Sequence, residues 1–82
     1  MSNKIIELLN SENFKDRMKG EYLFVKNKYD KLHDMIVRYE AGTLEFKPTC
    51  NLDILKRQAS AMANYIYSLE VRAQIEDVDL NE

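Results

Sequence analysis

The side chains with most to offer a ligand are tyrosines and cations. Arg17, Lys28 and Arg38 accompany Tyr22, Tyr29 and Tyr39 in the first half of the chain, and Arg57, Gln58, Tyr65 and Arg72 follow in the second. An aromatic face can stack on a base, and a guanidinium fork can grip phosphate oxygens in pairs. That chemistry is binding rather than bond breaking. The single His33 and single Cys50 lie in different segments, short of the closed ligand set a metal needs, and no base accompanies the thiol. No phosphate-cradling or dinucleotide glycine motif is present. The expectation is a binding protein and not an enzyme, without metal or cofactor.

The elements that must position these residues are helical. From Met18 the apolar and aromatic positions run Met18, Tyr22, Val25, Tyr29, Leu32, Ile36 and Tyr39, alternating steps of four and three, a heptad seam. A second seam runs Leu52, Leu55, Ala59, Met62, Ile66, Leu69 and Ala73. These predict long helices over about 14–41 and 52–77, packed as an antiparallel hairpin. Ser2 or Asn3 can cap a short N-terminal helix carrying Ile5, Ile6, Leu8 and Leu9, while Ser11 or Asn13 caps the first long helix and Thr49 or Asn51 the second. Gly42 supplies the stop after Ala41. Gly20, inside a helix, marks either a close approach by a backbone or ligand or a tolerated surface glycine.

The connection "GTLEFKPTCN", residues 42–51, is longer than a hairpin needs. Pro48 forbids helix there. Leu44 and Phe46 can plug the open end, or Lys47 and Thr49 can join the amides that start the next helix as an anion-binding lip.

Eighty-two residues with 32% charged, 45% hydrophobic, two glycines and one proline describe one all-α domain, 1–82. Net charge is −2, unsuited to nonspecific binding of duplex nucleic acid. Residues 1–41 hold eight basic against seven acidic residues and residues 42–82 four against seven, with much of the acid in the tail "EDVDLNE". One cysteine excludes an internal disulfide, "KIIELL" is too short and polar for a signal peptide, and no apolar run is long enough for a bilayer, so cytoplasm is expected. Phe24, Met35, Ile54, Tyr65, Tyr67 and Val71 fall off both seams, which predicts cover by the short helix and by further copies in a homo-oligomer.

The segment "FKDRMKGEYLFVKNKYDKLHDMIVRYEAGTLEFKPTC" with "LDILKRQASAMANYIYSLEVRAQIE" resembles small phage and prophage proteins related to a protein of a crAss-like gut phage. Arg17-Met18, Glu21-Tyr22, Tyr29, Lys31, Leu32, Gln58, Ala61-Met62, Tyr65, Leu69 and Arg72 carry the resemblance. That hairpin is in turn similar to phage anti-CBASS and anti-Thoeris proteins, small oligomers that sequester nucleotide immune signals without cleaving them. The resemblance implies immune evasion in an infected bacterial host, with a cyclic oligonucleotide or an ADP-ribose-type signal as ligand, held between subunits. No binding residue transfers by position. On residue chemistry the candidate site is Arg17, Tyr22, Lys28, Tyr65 and Arg72, with Lys47 and Thr49 as the lip. The competing expectation is a helical interaction factor that docks on a host or phage protein, its tyrosines merely packed.

Overall fold

The computed structural model describes residues 2–82; Met1, the first residue of the expected domain, lies outside them. The elements are α1 (Asn3–Leu9), α2 (Phe14–Ala41) and α3 (Leu52–Glu76), with no strand among the described residues. Each start carries a side-chain cap. Ser2 Oγ accepts from the Ile5 amide at 3.3 Å, Asn13 Oδ1 from Lys15 at 2.9 Å and Asn51 Oδ1 from Ile54 at 3.2 Å. Thus Asn13 and Asn51, rather than Ser11 or Thr49, do the capping. Ser11 instead accepts from the Asn13 amide and donates to Asp16.

Gly42 closes α2 at φ 78°, with the Thr43 amide donating to Arg38 O at 2.9 Å. The end of α3 falls one residue short of expectation. Asp77 takes the left-handed conformation at φ 57°, and the Val78 amide donates back to Ala73 O at 2.9 Å.

The antiparallel register follows from two cross-helix contacts, Tyr22 with Glu70 at one end and Lys56 with Glu40 at the other. Between them the heptad seams meet, though unevenly. Met18, Ile36, Ile66, Leu69 and Ala73 are buried, whereas Tyr22, Val25, Tyr29 and Leu32 are half-buried and Tyr39 is exposed. Two helices offer one another only a stripe, so residues at its edges stay partly wet.

Gly20 and Leu23 are buried although neither lies on the seam, because α1 folds onto the far side of α2. A methyl group at Gly20 would meet Leu8 Cβ at 2.9 Å and the Leu9 amide nitrogen at 3.0 Å, so its neighbour is the backbone of α1. Packing of α1 buries Ile5 but does not reach α3. The expected plug is partial: Leu44 is half-buried, but Phe46 lies 60% exposed across the hairpin end. Ile54, Tyr65, Tyr67, Val71 and Ile75 also remain exposed along α3.

Candidate ligand-binding site

Along one side of α2 the residues Phe24, Lys28, Lys31 and Met35 are spaced four, three and four apart and form a ridge. Hollows lie to either side of it. The first, about 180 Å³, is bounded by Ile5 of α1 together with Phe24, Asn27, Lys28 and Lys31. The second, about 290 Å³, is shared by Lys28, Lys31, Leu32 and Met35 with Gln58 and Met62 of α3. Met35 also borders a third, about 180 Å³, formed with Phe46, Lys47, Pro48, Thr49, Cys50 and Leu55 at the hairpin end. These hollows adjoin, with Lys28 and Lys31 shared by the first two and Met35 by the last two, and together they make a shallow grooved face along the lysine ridge.

No carboxylate lines the groove. Among the described residues Lys28, Lys31 and Lys47 enter no ion pair. Lys28 Nζ stands 5.2 Å from the Phe24 ring centroid, a cation–π contact that draws the ammonium toward the mouth of the first hollow. The register places Tyr65 level with Lys28 and on the same side of α3 as Gln58, seven residues earlier. The ingredients are ammonium groups, amides at Asn27 and Gln58, a hydroxyl at Thr49 and exposed aromatic surface. That set fits an anion with a planar or apolar body.

The opposite side of the hairpin has different chemistry. Lys26 pairs with Asp30 at 2.8 Å and Lys56 with Glu40 at 3.4 Å. Tyr22 donates from its hydroxyl to Glu70 Oε2 at 3.1 Å. Partial burial, and after it the Glu70 carboxylate, raises the Tyr22 phenol above the ordinary tyrosine range. His33 stacks on Tyr29 with centroids 5.6 Å apart. The tail residues Val78, Asp79, Leu80 and Asn81 lie beside Tyr22, Glu70 and Gln74. Asp30 and Asp34, a repulsive spacing in isolation, each hold their own cation, Lys26 and Arg38; the second of these pairs lies toward the ridge, since Arg38 follows Lys31 by seven residues.

The seven candidates therefore divide. Lys28, Lys47, Thr49 and Tyr65 belong to the groove side. Tyr22 faces the other way, engaged with Glu70. Arg17 donates to the Ser11 carbonyl at 2.8 Å and so ties down the α1–α2 connection. Arg72 grips Glu76 with two contacts, 2.7 and 3.2 Å, which raise its pKa further, and the Glu21 carboxylate adds to the effect. Lys31, Asn27 and Gln58 are groove residues that the candidate set lacks. Their signal was the spacing of Phe24, Lys28, Lys31 and Met35, a second register beside the core seam.

No group of histidine, cysteine and carboxylate residues among those described could hold a metal ion. No described helix is long and apolar enough to cross a membrane. Residues 12–75 match a protein-family model described as Sequestin. No curated protein and no solved structure matches the chain.

Proposed function

The chain belongs to the Sequestin family, whose model covers most of its length, and from that premise we propose that it captures an anionic nucleotide messenger and withholds it without cleaving it. The family name points to a sequestering, non-catalytic protein. The observation that carries the choice of ligand is the groove in which Lys28, Lys31 and Lys47 stand without a carboxylate. Phosphates take the ammonium groups, a base stacks on exposed aromatic surface such as Tyr65, and the Asn27 and Gln58 amides hydrogen-bond the base or sugar. Cyclic oligonucleotides and ADP-ribose-type signals both combine these groups. A phage-encoded inhibitor of bacterial immunity, acting in the host cytoplasm as a homo-oligomer of this one domain, is the setting in which such capture is useful.

Titration calorimetry with a panel of cyclic oligonucleotides and ADP-ribose derivatives tests the reading. At least one is expected to bind, and denaturing the complex is expected to return it chemically intact. Absence of heat for the whole panel at high micromolar concentration overturns nucleotide capture, and recovery of a degraded ligand overturns sequestration. A stoichiometric protein partner in place of a small molecule would select the interaction-factor reading instead.

A further inference from the structure

The lysine ridge is bordered by two hollows of matching make-up. Phe24, Asn27, Lys28 and Lys31, at positions i, i+3, i+4 and i+7, share one face of α2, and Ile5 of α1 closes the first hollow behind them. Across the ridge Leu32 and Met35 meet Gln58 and Met62 of α3 around the second. Each hollow offers one side-chain amide and an apolar wall, and both borrow the same two ammonium groups. At about 180 and 290 Å³, the first is well short of a small-molecule site and the second stands at its lower edge, roughly 300 Å³. Only the two taken together fall inside the usual range.

The Phe24 ring adds a second observation. Lys28 Nζ stands 5.2 Å from its centroid. An exposed cation–π contact is weaker than a charge-assisted bond to phosphate, so an anion arriving between Lys28 and Lys31 draws the ammonium off the ring. The movement uncovers an aromatic face at the wall of the first hollow, on which a planar group can stack. Anion and planar group reach adjoining places together when they belong to one molecule. The wall opposite is fixed beforehand: Leu8 and Leu9 lie against Gly20, and Arg17 and Asp16 both hold Ser11 in the α1–α2 connection.

We propose that the two hollows are halves of a single site, filled by one nucleotide whose two arms are joined through phosphate. The phosphate bridge spans Lys28 and Lys31. A base stacks on Phe24 against the α1 wall and meets the Asn27 amide. The second arm, a nucleoside or a ribose, lies along Met35 and Met62 with its polar edge on the Gln58 amide. Lys28 acts as a shutter, covering Phe24 until a phosphate takes it. Such a site selects by the number of arms, since a mononucleotide engages the bridge and one hollow and leaves the other unused. This division rests on the nucleotide reading above, but it can fail while capture stands.

The test is calorimetry on the full chain with two probes: the member of the cyclic-oligonucleotide and ADP-ribose panel that binds best, and the mononucleotide that forms half of it, AMP or GMP. The mononucleotide is expected to bind at least about tenfold more weakly. Phe24→Leu, which keeps apolar bulk and removes the ring, is expected to weaken the two-armed probe about fivefold or more, and Gln58→Ala about threefold or more. The mononucleotide should respond to at most one of the two. Circular dichroism should show unchanged helix content in both variants. In proton NMR of the unsubstituted chain, the Lys28 ε-methylene should lie upfield under the Phe24 ring and move downfield as the two-armed probe saturates the site. A mononucleotide that binds as tightly as the two-armed probe, either variant with undiminished affinity for that probe, or a Lys28 signal that stays in place at saturation overturns the divided site. Silence of the entire panel with the unsubstituted chain overturns capture itself.

Discussion

Along one edge of the α2–α3 pair Lys26, Lys56 and Glu70 each have a polar partner across or along the helices, whereas along the other Lys28, Lys31 and Lys47 pair with no carboxylate. The paired edge accounts for itself. Its contacts hold register at both ends of the hairpin, and each exposed pair contributes modestly. The unpaired edge does not. Lys28 and Lys31 are three apart on one helix face and repel slightly, so they weaken the isolated fold. On the proposed reading, an anion joins this cluster and offsets that repulsion. The difference teaches where to look for a binding site on this hairpin: at charges that no carboxylate within the fold satisfies.

The comparison breaks first at the ridge. Lys28→Glu with Lys31→Glu is expected to lower nucleotide affinity by at least about 100-fold, since charge-assisted contacts are worth roughly 1.5–3 kcal/mol each. Glu70→Gln, on the paired edge, should leave affinity within about threefold by the same calorimetry. Equal losses from the two edges would sink the distinction.

A smaller effect should come through α1, which walls the first hollow with Ile5. Gly20→Leu drives a side chain into Leu8 and the Leu9 backbone, so α1 must lift away. Chemical denaturation should show a loss of about 1–3 kcal/mol, the range for overpacking. Affinity for the nucleotide should fall with it, while Tyr22, outside that hollow, keeps its bond to Glu70.

On the paired edge the Tyr22–Glu70 bond predicts an alkaline limit. A phenol whose folded-state pKa is raised stabilises the fold while protonated. Its contribution is complete below the unfolded value near 10.0 and disappears as pH climbs through the higher folded one. Tyr22→Phe should lose roughly 0.5–1.5 kcal/mol at neutral pH and flatten the decline in melting temperature above pH 10. A decline as steep as that of the unsubstituted chain would assign the effect elsewhere. The smallest change is expected from Arg72→Ala, which removes a guanidinium already satisfied by Glu76; affinity should move by less than about threefold.

Much of the scaffold was legible because its signals are local. The heptad seams, the Asn13 and Asn51 caps and the Gly42 stop are short-range patterns, and α2 spans the expected residues 14–41. Where α1 lands was not legible. Gly20 left a close approach and a tolerated surface glycine both open, and only the three-dimensional path of residues 10–13 shows that Leu8 and Leu9 come up against it. The site was half legible. Cationic and aromatic residues could be named, but whether an arginine is free depends on its neighbours one turn away. Glu76 occupies Arg72 and the Ser11 carbonyl occupies Arg17, whereas Lys28 and Lys31 of the ridge meet no carboxylate. A helical periodicity says which side a residue is on, not which partner is already there.

Each helix touches only the one next to it along the chain, through connections of four residues, 10–13, and ten, 42–51. Closing such loops loses little entropy, so every tertiary contact is within reach soon after its helices form. Maturation of a single copy is thus expected on the microsecond to millisecond scale typical of locally wired helical proteins. For the homo-oligomer proposed above, encounter between copies would be the slow step, so the amount of protein synthesised rather than its folding would time assembly.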